Sequence, residues 1–293
     1  MHKSFLEKVQ QYAVNIIVLL FSVLILYPFL YCVAYSFSDS TRAMTENIVL
    51  QPVGFTFRNY SKAFNNPDIL AATMISIART VLGALWAALV TSLAAYAVSK
   101  RDLPGNKFFT IFFIIPMYIS GGLIPYYVLI HDLNLFNNIL VYILPGGFYA
   151  FNMLIVKTYF DTIPPSLEES AKIDGAGYGK IFIKIIIPLS MPVISVILMF
   201  TAVLQWNSYF DVVLFITQKK LYPLQTILQN MLQETQTSVQ SLQTGGQAMN
   251  GRVISSESVR MATLVITTVP IVIVYPFFQK HFVKGMMVGA VKA

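Results

Sequence analysis

Six long apolar segments constrain the folding of this 293-residue chain more than any other feature of its sequence. A helix needs about 20 mostly apolar residues to cross the hydrocarbon core of a bilayer, and each segment has about that length or more. Only two segments contain a charged residue, Arg79 in the second and Asp211 in the fifth. The segments are residues 12–37, 69–99, 108–130, 138–156, 185–217 and 261–279. The sequence therefore predicts an all-α membrane protein with six transmembrane helices, organised as one domain over residues 1–293.

The composition argues against the other broad classes of protein. Charged residues make up 11% of the chain, whereas soluble domains contain about 25%. The 56% of hydrophobic residues is too high for a disordered chain. The single cysteine, Cys32, allows neither an internal disulfide nor a zinc site built on several cysteines. The net charge of +7 does not indicate nucleic acid, because the basic residues lie between the apolar segments and form no patch.

The distribution of basic residues predicts the orientation of the chain in the membrane. Six spans place both termini on the same side. The loops and termini of that side then carry twelve Lys and Arg residues, against seven for the loops of the other side. Because cytoplasmic loops of membrane proteins are enriched in Lys and Arg, both termini are expected in the cytoplasm.

The inner loop between the fourth and fifth spans, residues 157–184, has helix signals of its own. Ser166 is followed three residues later by Glu169, which is the spacing of a capping box. Gly175 is suited to the left-handed conformation that ends many helices. We therefore expect a helix over residues 167–174. Because two turns are too few for a stable helix in water, it must pack on its own bundle or on a partner.

The same loop carries a motif that identifies a family. The motif consists of Glu169-Ser170-Ala171, then Gly175 after three intervening residues, and then Ile185-x-Ile187-Pro188 after nine more. This order resembles the EAA loop of binding-protein-dependent ABC import permeases, E-A-A-x3-G-x9-I-x-L-P, and departs from it at Ser170 and Ile187. Residues 167–176 are similar to the carbohydrate branch typified by the maltose importer. Five other runs resemble a subgroup of oligosaccharide permeases that work with lipoprotein receptors: residues 26–31, 121–125, 206–210, 222–225 and 275–280.

The resemblance implies a type I ABC importer bundle in a bacterial cell membrane, with a cytoplasmic coupling helix between spans four and five. ATP and Mg²⁺ would be bound by a separate ATPase, since this chain has no Walker A pattern, and no cofactor is expected on the chain itself. The implied partners are two cytoplasmic ABC ATPase subunits, a second six-span permease chain, an extracellular sugar-binding lipoprotein docking near residues 222–251, a carbohydrate substrate and membrane lipid. The residues that the resemblance assigns to ATPase coupling are Glu168, Glu169, Ala171, Asp174 and Gly175.

Polar and aromatic residues within the spans are candidates for the substrate pathway. Sugars are bound by aromatic stacking and by hydrogen bonds from amide and carboxylate groups, and charged residues inside a membrane usually face a cavity or a partner. The candidates are Arg79, Gln205, Trp206, Asn207, Tyr209 and Asp211. Two alternatives stay open at this point. Arg79 and Asp211 can form a purely structural ion pair, and Trp and Tyr are common at membrane interfaces.

Two glycine–proline clusters, at residues 121–125 and 145–147, are the best candidates for bends that open a pathway, although close packing of helices would also explain them. An ion-coupled secondary transporter is the alternative function, but one Asp and one Arg within the spans are thin support for an ion site. A membrane enzyme is a third hypothesis. It lacks support because the three histidines lie in different loops and no Ser–His–Asp, Cys–His or metal-spaced cluster is present.

Overall fold

The computed structural model describes residues 5–100, 102–243 and 250–290. Every regular element across these residues is helical, which confirms the predicted all-α fold. Some predicted features lie outside the described residues: Lys3, Arg101 and Lys292 from the charge count, and residues 244–249 of the stretch assigned to the lipoprotein. The contacts divide the chain into two units, Met1–Pro67 with Leu228–Val269 and Asp68–Ile227 with Pro270–Ala293.

The helices are numbered here in chain order. The described α-helices are α1 (Phe5–Ser36), α2 (Arg42–Thr45), α3 (Arg58–Phe64), α4 (Pro67–Ser99), α5 (Asn106–Tyr118), α6 (Leu123–Asp132), α7 (Leu140–Ile143), α8 (Ala150–Phe160), α9 (Pro165–Ile173), α10 (Tyr178–Ile181), α11 (Ile187–Leu189), α12 (Met191–Asn207), α13 (Phe210–Phe215), α14 (Leu224–Gln243) and α15 (Asn250–Ala290). Short 3₁₀ turns lie at Pro145–Gly147 and Lys219–Leu221, and one π-helical turn lies at Phe182–Ile186.

Three of the six predicted spans are single helices within the described residues. These are Gln10–Ser36 in α1, Pro67–Ser99 in α4 and Glu257–Phe277 in α15. The predicted third, fourth and fifth spans are each a pair of helices with a sharp bend between them. The bend is 116° between α5 and α6, 52° between α7 with its 3₁₀ turn and α8, and 82° between α10–α11 and α12. Six spans result if each bent pair crosses the membrane once.

Glycine and proline explain where the three bends occur. Gly122, at the start of α6, has φ of +83°, which residues with a side chain rarely adopt. Pro145 opens the 3₁₀ turn that ends α7. Pro192 has no N–H to donate to the carbonyl of Pro188, so the helix breaks at Ser190 between them. The bends predicted at residues 121–125 and 145–147 are therefore confirmed.

The first unit begins with a helix whose apolar side chains are exposed along most of its length, from Tyr12 to Leu30. The end of α1 is fixed by the buried side chain of Asn59, whose Nδ2 donates to the carbonyls of Ser36 (2.9 Å) and Ser38 (2.8 Å). Because these carbonyls lie at the helix end and have no partner within α1, the amide of Asn59 acts as a cap from another helix.

The second unit packs around α4. The face of this helix toward the bundle is lined by small residues such as Gly83, Ala87 and Ala95, which let neighbouring helices approach closely. The largest apolar cluster joins α4 to α8, to the π-helical turn and to α12, with Val98, Met153 and Ile197 among its buried members. This cluster holds together the ends of the helices on either side of α9.

The loop helix α9 differs from its prediction at the N-terminus. It begins at Pro165 instead of Leu167, because proline is favoured at the first helical position, where no N–H is needed. The predicted capping box of Ser166 and Glu169 is wrong, since Pro164 is the N-cap and no side chain caps this helix end. The C-terminus agrees with the prediction: Gly175 has φ of +76°.

Two backbone hydrogen bonds complete the end of α9. The N–H of Gly175 donates to the carbonyl of Lys172 (3.0 Å), and the N–H of Ala176 donates to that of Ala171 (2.9 Å). This is the Schellman arrangement, which satisfies carbonyls that would otherwise have no partner. The loop after α9 is therefore specified by the glycine.

Candidate functional site

Arg79 is the largest fully buried side chain of the described residues, with 1% of its surface exposed. Its Nη2 lies 2.5 Å from Oδ2 of Asp211, and its Nη1 donates to Oδ1 of the same carboxylate (3.4 Å). Nη1 also donates to the backbone carbonyl of Ser208 (3.2 Å). A buried charge needs this kind of pairing, because an uncompensated one is strongly destabilising.

Gln205 and Tyr142 complete the surroundings of the guanidinium. Oε1 of Gln205 accepts from Nε (3.3 Å) and Nη2 (3.1 Å) of Arg79, while its Nε2 donates to the carbonyl of Tyr142 (2.9 Å). The ring of Tyr142 stacks on the guanidinium, 4.2 Å from Cζ to the ring centroid. An arginine has five N–H donors, and five acceptor contacts meet them here. We call these residues the Arg79 cluster: Arg79, Tyr142, Gln205, Ser208 and Asp211.

Gln205 fits into a slot that only glycine leaves open. A Cβ at Gly83 or at Gly146 would lie 2.8 Å from Nε2 of Gln205. α4, the 3₁₀ turn after α7 and α12 therefore meet at this amide. The neighbouring glycine, Gly147, makes room in the same way for the indole of Trp86, to which a Cβ would approach within 2.2 Å.

The Arg79 cluster forms one wall of a cavity of about 330 Å³, which we call the Arg79 cavity. Besides the cluster itself, the aromatic residues that line it are Tyr126, Tyr149, Phe210 and Phe215. Small-molecule sites in proteins have volumes of about 300–1,000 Å³, so this cavity is at the lower end of the range. It combines aromatic faces with hydroxyl and carboxylate oxygens, which suits one polar ring.

The structure brings together only three of the six residues proposed for the substrate pathway: Arg79, Gln205 and Asp211. Trp206 is buried and lines a different, apolar cavity of about 280 Å³ together with Ile77 and Val274. Asn207 is exposed and donates to the carbonyl of Val203 in its own helix (2.9 Å). Tyr209, next to the start of α13, does not line the Arg79 cavity.

Sequence reasoning missed the tyrosines of the cavity. Tyr126 follows Pro125, Tyr142 precedes Pro145, and Tyr149 follows Gly147. Each lies beside one of the glycine–proline clusters. Aromatic residues flanking the predicted bends were therefore the signal that would have found them.

The residues assigned to ATPase coupling separate into two groups on α9. The carboxylate of Glu168 forms an ion pair with Lys100, which follows α4, and Ala171 packs on the large apolar cluster. Glu169 and Asp174 are exposed on the other side, beside Ile173 with 86% of its surface exposed. Gly175 has open space where a Cβ would project. One face of α9 is thus held by its own unit, and the other is free of it.

A second set of contacts holds the last turn of α9. Nζ of Lys172 donates to the hydroxyl of Tyr178 (3.4 Å), and this hydroxyl donates to Oδ2 of Asp102 (3.2 Å). The hydrogen bond to Tyr178 raises the pKa of Lys172, and the carboxylates of Asp102 and Glu168 act in the same direction. Lys172 therefore keeps its positive charge beside Asp102 at neutral pH.

Across residues 5–100, 102–243 and 250–290, no group of three or more His, Cys, Asp or Glu side chains is close enough to hold an ion. The acids of α9 are used in ion pairs or lie separately on its surface.

Known proteins resemble this chain over nearly its whole length. The family model described as "Binding-protein-dependent transport system inner membrane component" matches residues 80–288. The polygalacturonan/rhamnogalacturonan transport system permease protein YtcP of Bacillus subtilis is 35% identical over 274 residues, covering 94% of this chain and 95% of the relative. The protein LplC of the same organism is 37% identical over 265 residues, with 90% and 88% covered.

A solved structure of a transporter is also similar to this chain. One chain in the crystal structure of a bacterial ABC transporter involved in the import of the acidic polysaccharide alginate has a TM-score of 0.85 and 27% sequence identity. The match covers 96% of this chain and 99% of the other. The resemblance carried by the motif of residues 169–188 is therefore confirmed. This chain belongs to the family of inner-membrane components of binding-protein-dependent transport systems.

Proposed function

We propose that this chain is a permease subunit of an ATP-driven, binding-protein-dependent importer of oligosaccharides in a bacterial cell membrane, with both termini in the cytoplasm. The observation that carries the proposal is α9, a nine-residue helix with one face tied to its own unit and the other exposed. A helix of this length is not stable alone in water. Its exposed side chains, Glu169 and Ile173 among them, offer a surface to a partner.

The partner at this surface would be a cytoplasmic ATPase. This chain has no Walker A pattern, so ATP and Mg²⁺ would be held by that subunit and not by the chain itself. Glu169 and Asp174 would contact the ATPase, while Gly175 sets the turn that follows. Glu168 and Ala171, which the resemblance also assigns to coupling, would act by holding α9 in place.

Oligosaccharides are the proposed substrate class. YtcP is named for polygalacturonan and rhamnogalacturonan transport, and two further relatives are named for galactooligosaccharides and for maltodextrin. The Arg79 cavity has the volume and the mixture of aromatic and polar groups that one sugar ring requires. The tyrosine rings would stack on the ring, and the hydroxyl of Ser208 would accept a hydrogen bond from one of its hydroxyl groups.

Arg79 has a different part in this proposal from the one its charge suggests. All five of its N–H donors have acceptors within the cluster, so none is left for a substrate carboxylate. Arg79 would therefore orient Asp211 and Tyr142 at the cavity wall. An acidic sugar would have to bind through other groups.

The cavity is too small for more than about one ring, so an oligosaccharide needs contacts from a second chain. A second six-span permease would supply them as the other half of a heterodimer. An extracellular sugar-binding lipoprotein would dock near residues 222–251. Lipid would cover the apolar side chains that remain exposed on α1 and α4.

Purification from the native host in mild detergent, followed by mass spectrometry, tests the assembly. We expect a stoichiometric ATPase and a second permease chain with the wild type. In the Glu169→Lys variant, most of the ATPase should no longer co-purify. The control is Glu46→Lys, which reverses the charge of an exposed carboxylate more than 100 positions away from α9, and the ATPase should co-purify with it as with wild type. A wild-type chain that purifies alone would refute the proposal.

The energy source separates this function from the ion-coupled alternative. We expect uptake into proteoliposomes containing the complex to continue after proton and sodium gradients are abolished and to stop without ATP. The opposite result would support a secondary transporter. Asp211 would be a poor ion site in that case, because its carboxylate is already engaged by Arg79 and Ser208. We propose no catalytic activity for this chain itself.

A further inference from the structure

The contacts of α9 lead to one element that is not adjacent to it in the chain. The first turn of α9 is joined to Lys100 through Glu168, and the last turn is joined to Asp102 through Lys172 and Tyr178. Lys100 and Asp102 directly follow α4. Both ends of α9 are therefore attached to the end of a helix more than 60 positions earlier, as the separation of 68 between Lys100 and Glu168 illustrates.

Lys100 is itself held firmly against α4. Nδ2 of Asn106 donates to the carbonyls of Val98 (2.8 Å) and Lys100 (2.7 Å), which caps the end of the helix. Nζ of Lys100 lies 4.2 Å from the ring centroid of Tyr96, close enough for a cation–π contact. The Glu168 ion pair therefore acts on a fixed point and not on a mobile lysine.

The ring of Tyr96 extends this attachment into the bundle. Its centroid lies 5.1 Å from that of Phe182 in the π-helical turn and 6.3 Å from that of Phe160 at the end of α8. The elements that precede and follow α9 in the chain thus rest on the same residue of α4. α9 and the elements on either side of it are therefore in contact with the end of α4, through the polar contacts and through this aromatic group.

α4 is long and uninterrupted. It is a continuous helix of 33 residues whose only proline, Pro67, is its first residue. Arg79 lies on the same helix, about 30 Å from Lys100 at the usual rise per residue. The polar contacts of α9 and the Arg79 cavity are therefore connected by one uninterrupted helix.

We propose that Lys100 and Asp102 are positioning residues that fasten the coupling helix to α4, so that α4 transmits the movement of α9 to the Arg79 cavity. We call the five residues of this attachment the clamp: Lys100, Asp102, Glu168, Lys172 and Tyr178. The inference rests on the proposed function, because it assumes that an ATPase moves α9. It adds that the motion passes through α4 and not only through α8 and α10, the helices that flank α9 in sequence.

Spin-label distances in the assembled complex test the clamp. The labels would be placed at Ser170→Cys on the exposed face of α9 and at Ala97→Cys near the end of α4, in a Cys32→Ser background, since Cys32 is the only native cysteine. Distances would be compared without nucleotide and after trapping with ATP and vanadate. We expect no change in wild type, because α9 and α4 move together.

The clamp variant Lys100→Gln/Asp102→Asn should behave differently. Trapping should now shift or broaden the distance on the order of 1–2 Å, the size of helix movements at interfaces. Two further variants should keep the constant distance of wild type. These are Lys100→Arg, which keeps the charge, and the charge swap Lys100→Glu/Glu168→Lys. Lys157→Gln is the matched control. It removes an exposed ion pair between Lys157 and Asp161, four positions apart in the sequence, and should have no effect on the distance.

The outcomes separate the clamp from the proposed function. If trapping changes the wild-type distance as much as that of the clamp variant, α9 moves independently of α4 and the clamp is refuted while the importer stands. If the swap fails to restore the constant distance, the ion pair is not what fastens α9. A wild-type complex without an ATPase would refute the proposed function, and the clamp with it.

Discussion

Two ion pairs associated with α4 differ in their construction. Arg79 and Asp211 have 1% and 19% of their side-chain surfaces exposed. Lys100 and Glu168 lie just beyond the end of the helix, with 17% and 15% exposed. In the first pair every N–H donor of the arginine has an acceptor, whereas the second pair joins one ammonium group to one carboxylate. Both pairs connect parts of the chain that are far apart in sequence.

The choice of residue fits this difference. Arginine presents a planar fork that matches a carboxylate in one geometry, so the Arg79 cluster has little freedom to rearrange. Lysine supplies a single point charge, and that of Lys100 is held by the carboxylate of Glu168 and the ring of Tyr96. The comparison teaches that α4 carries a fixed joint at the cavity and, at α9, a second joint that rests on fewer contacts. Breaking the first joint should unfold the unit, and breaking the second should release α9 from α4.

The largest effect is expected from Asp211→Ala. Removal of this carboxylate leaves the buried guanidinium of Arg79 without its counter-charge, and such changes cost about 3–5 kcal/mol. The free energy of unfolding of the purified chain in detergent would measure the loss. Asp132→Ala, at an exposed acid, is the control. The double variant Arg79→Leu/Asp211→Leu should recover much of the loss. Equal stability of Asp211→Ala and wild type would contradict a fixed joint.

The glycine slot around Gln205 gives the next prediction. Gly146→Ala places a Cβ 2.8 Å from Nε2 of Gln205 and should destabilise the unit by about 1–3 kcal/mol, the usual cost of overpacking. Gly121→Ala is the matched control, because its nearest contact would be an ordinary 4.0 Å to Pro125. The difference between the two melting temperatures in detergent is the measurement. Equal melting temperatures of the two variants would show that the slot accommodates the added methyl group.

A smaller and more local effect is expected at the end of α9. Gly175→Ala forces a side chain into the left-handed conformation, at a cost of about 1–2 kcal/mol, although no atom blocks it. Hydrogen exchange of the Ala176 amide, which donates to the carbonyl of Ala171, should become faster. Gly177→Ala is the control, since Gly177 has open space and extended backbone. Identical exchange in both variants would mean that Gly175 does not specify the turn.

The joint between α4 and α9 should contribute least to stability. Lys100→Gln is expected to lower the free energy of unfolding by about 1 kcal/mol or less, because the pair is partly exposed at the end of α4. Lys157→Gln, at an exposed pair within one helical turn, should cost about 0.3–0.5 kcal/mol. Thermal unfolding of the two variants in parallel makes the comparison. A loss at Lys100 as large as that of Asp211→Ala would remove the distinction between the two joints.

The apolar segments and the loop helix could be predicted because their signals are local. A run of uncharged residues predicts a span wherever it occurs, and the glycine–proline clusters predicted two of the bends. The left-handed Gly175 was predictable for the same reason. The start of α9 was not, because two local signals competed: the spacing of Ser166 and Glu169 favoured one start, and Pro165 at the first helical position decided another.

The candidate site could be predicted only in part. Arg79 and Asp211 stood out as the charged residues within the spans, and their pairing was foreseen as one alternative. The neighbourhood of Trp206 was assigned to the pathway as a continuous run, but consecutive residues of a helix point in different directions. Gln205 therefore faces the Arg79 cavity, Trp206 lies in an apolar one, and Asn207 faces away from both.

The sequence by itself determined the all-α membrane fold, the position of α9 to within two residues, and the family motif, since each depends on residues that are close along the chain. The tertiary structure decided which face of α9 is exposed, what fills the slot between Gly83 and Gly146, and which helix α9 is attached to. These features rest on contacts across 126 positions between Arg79 and Gln205 and 68 between Lys100 and Glu168. No local pattern specifies such pairs, because they form only when the helices have packed.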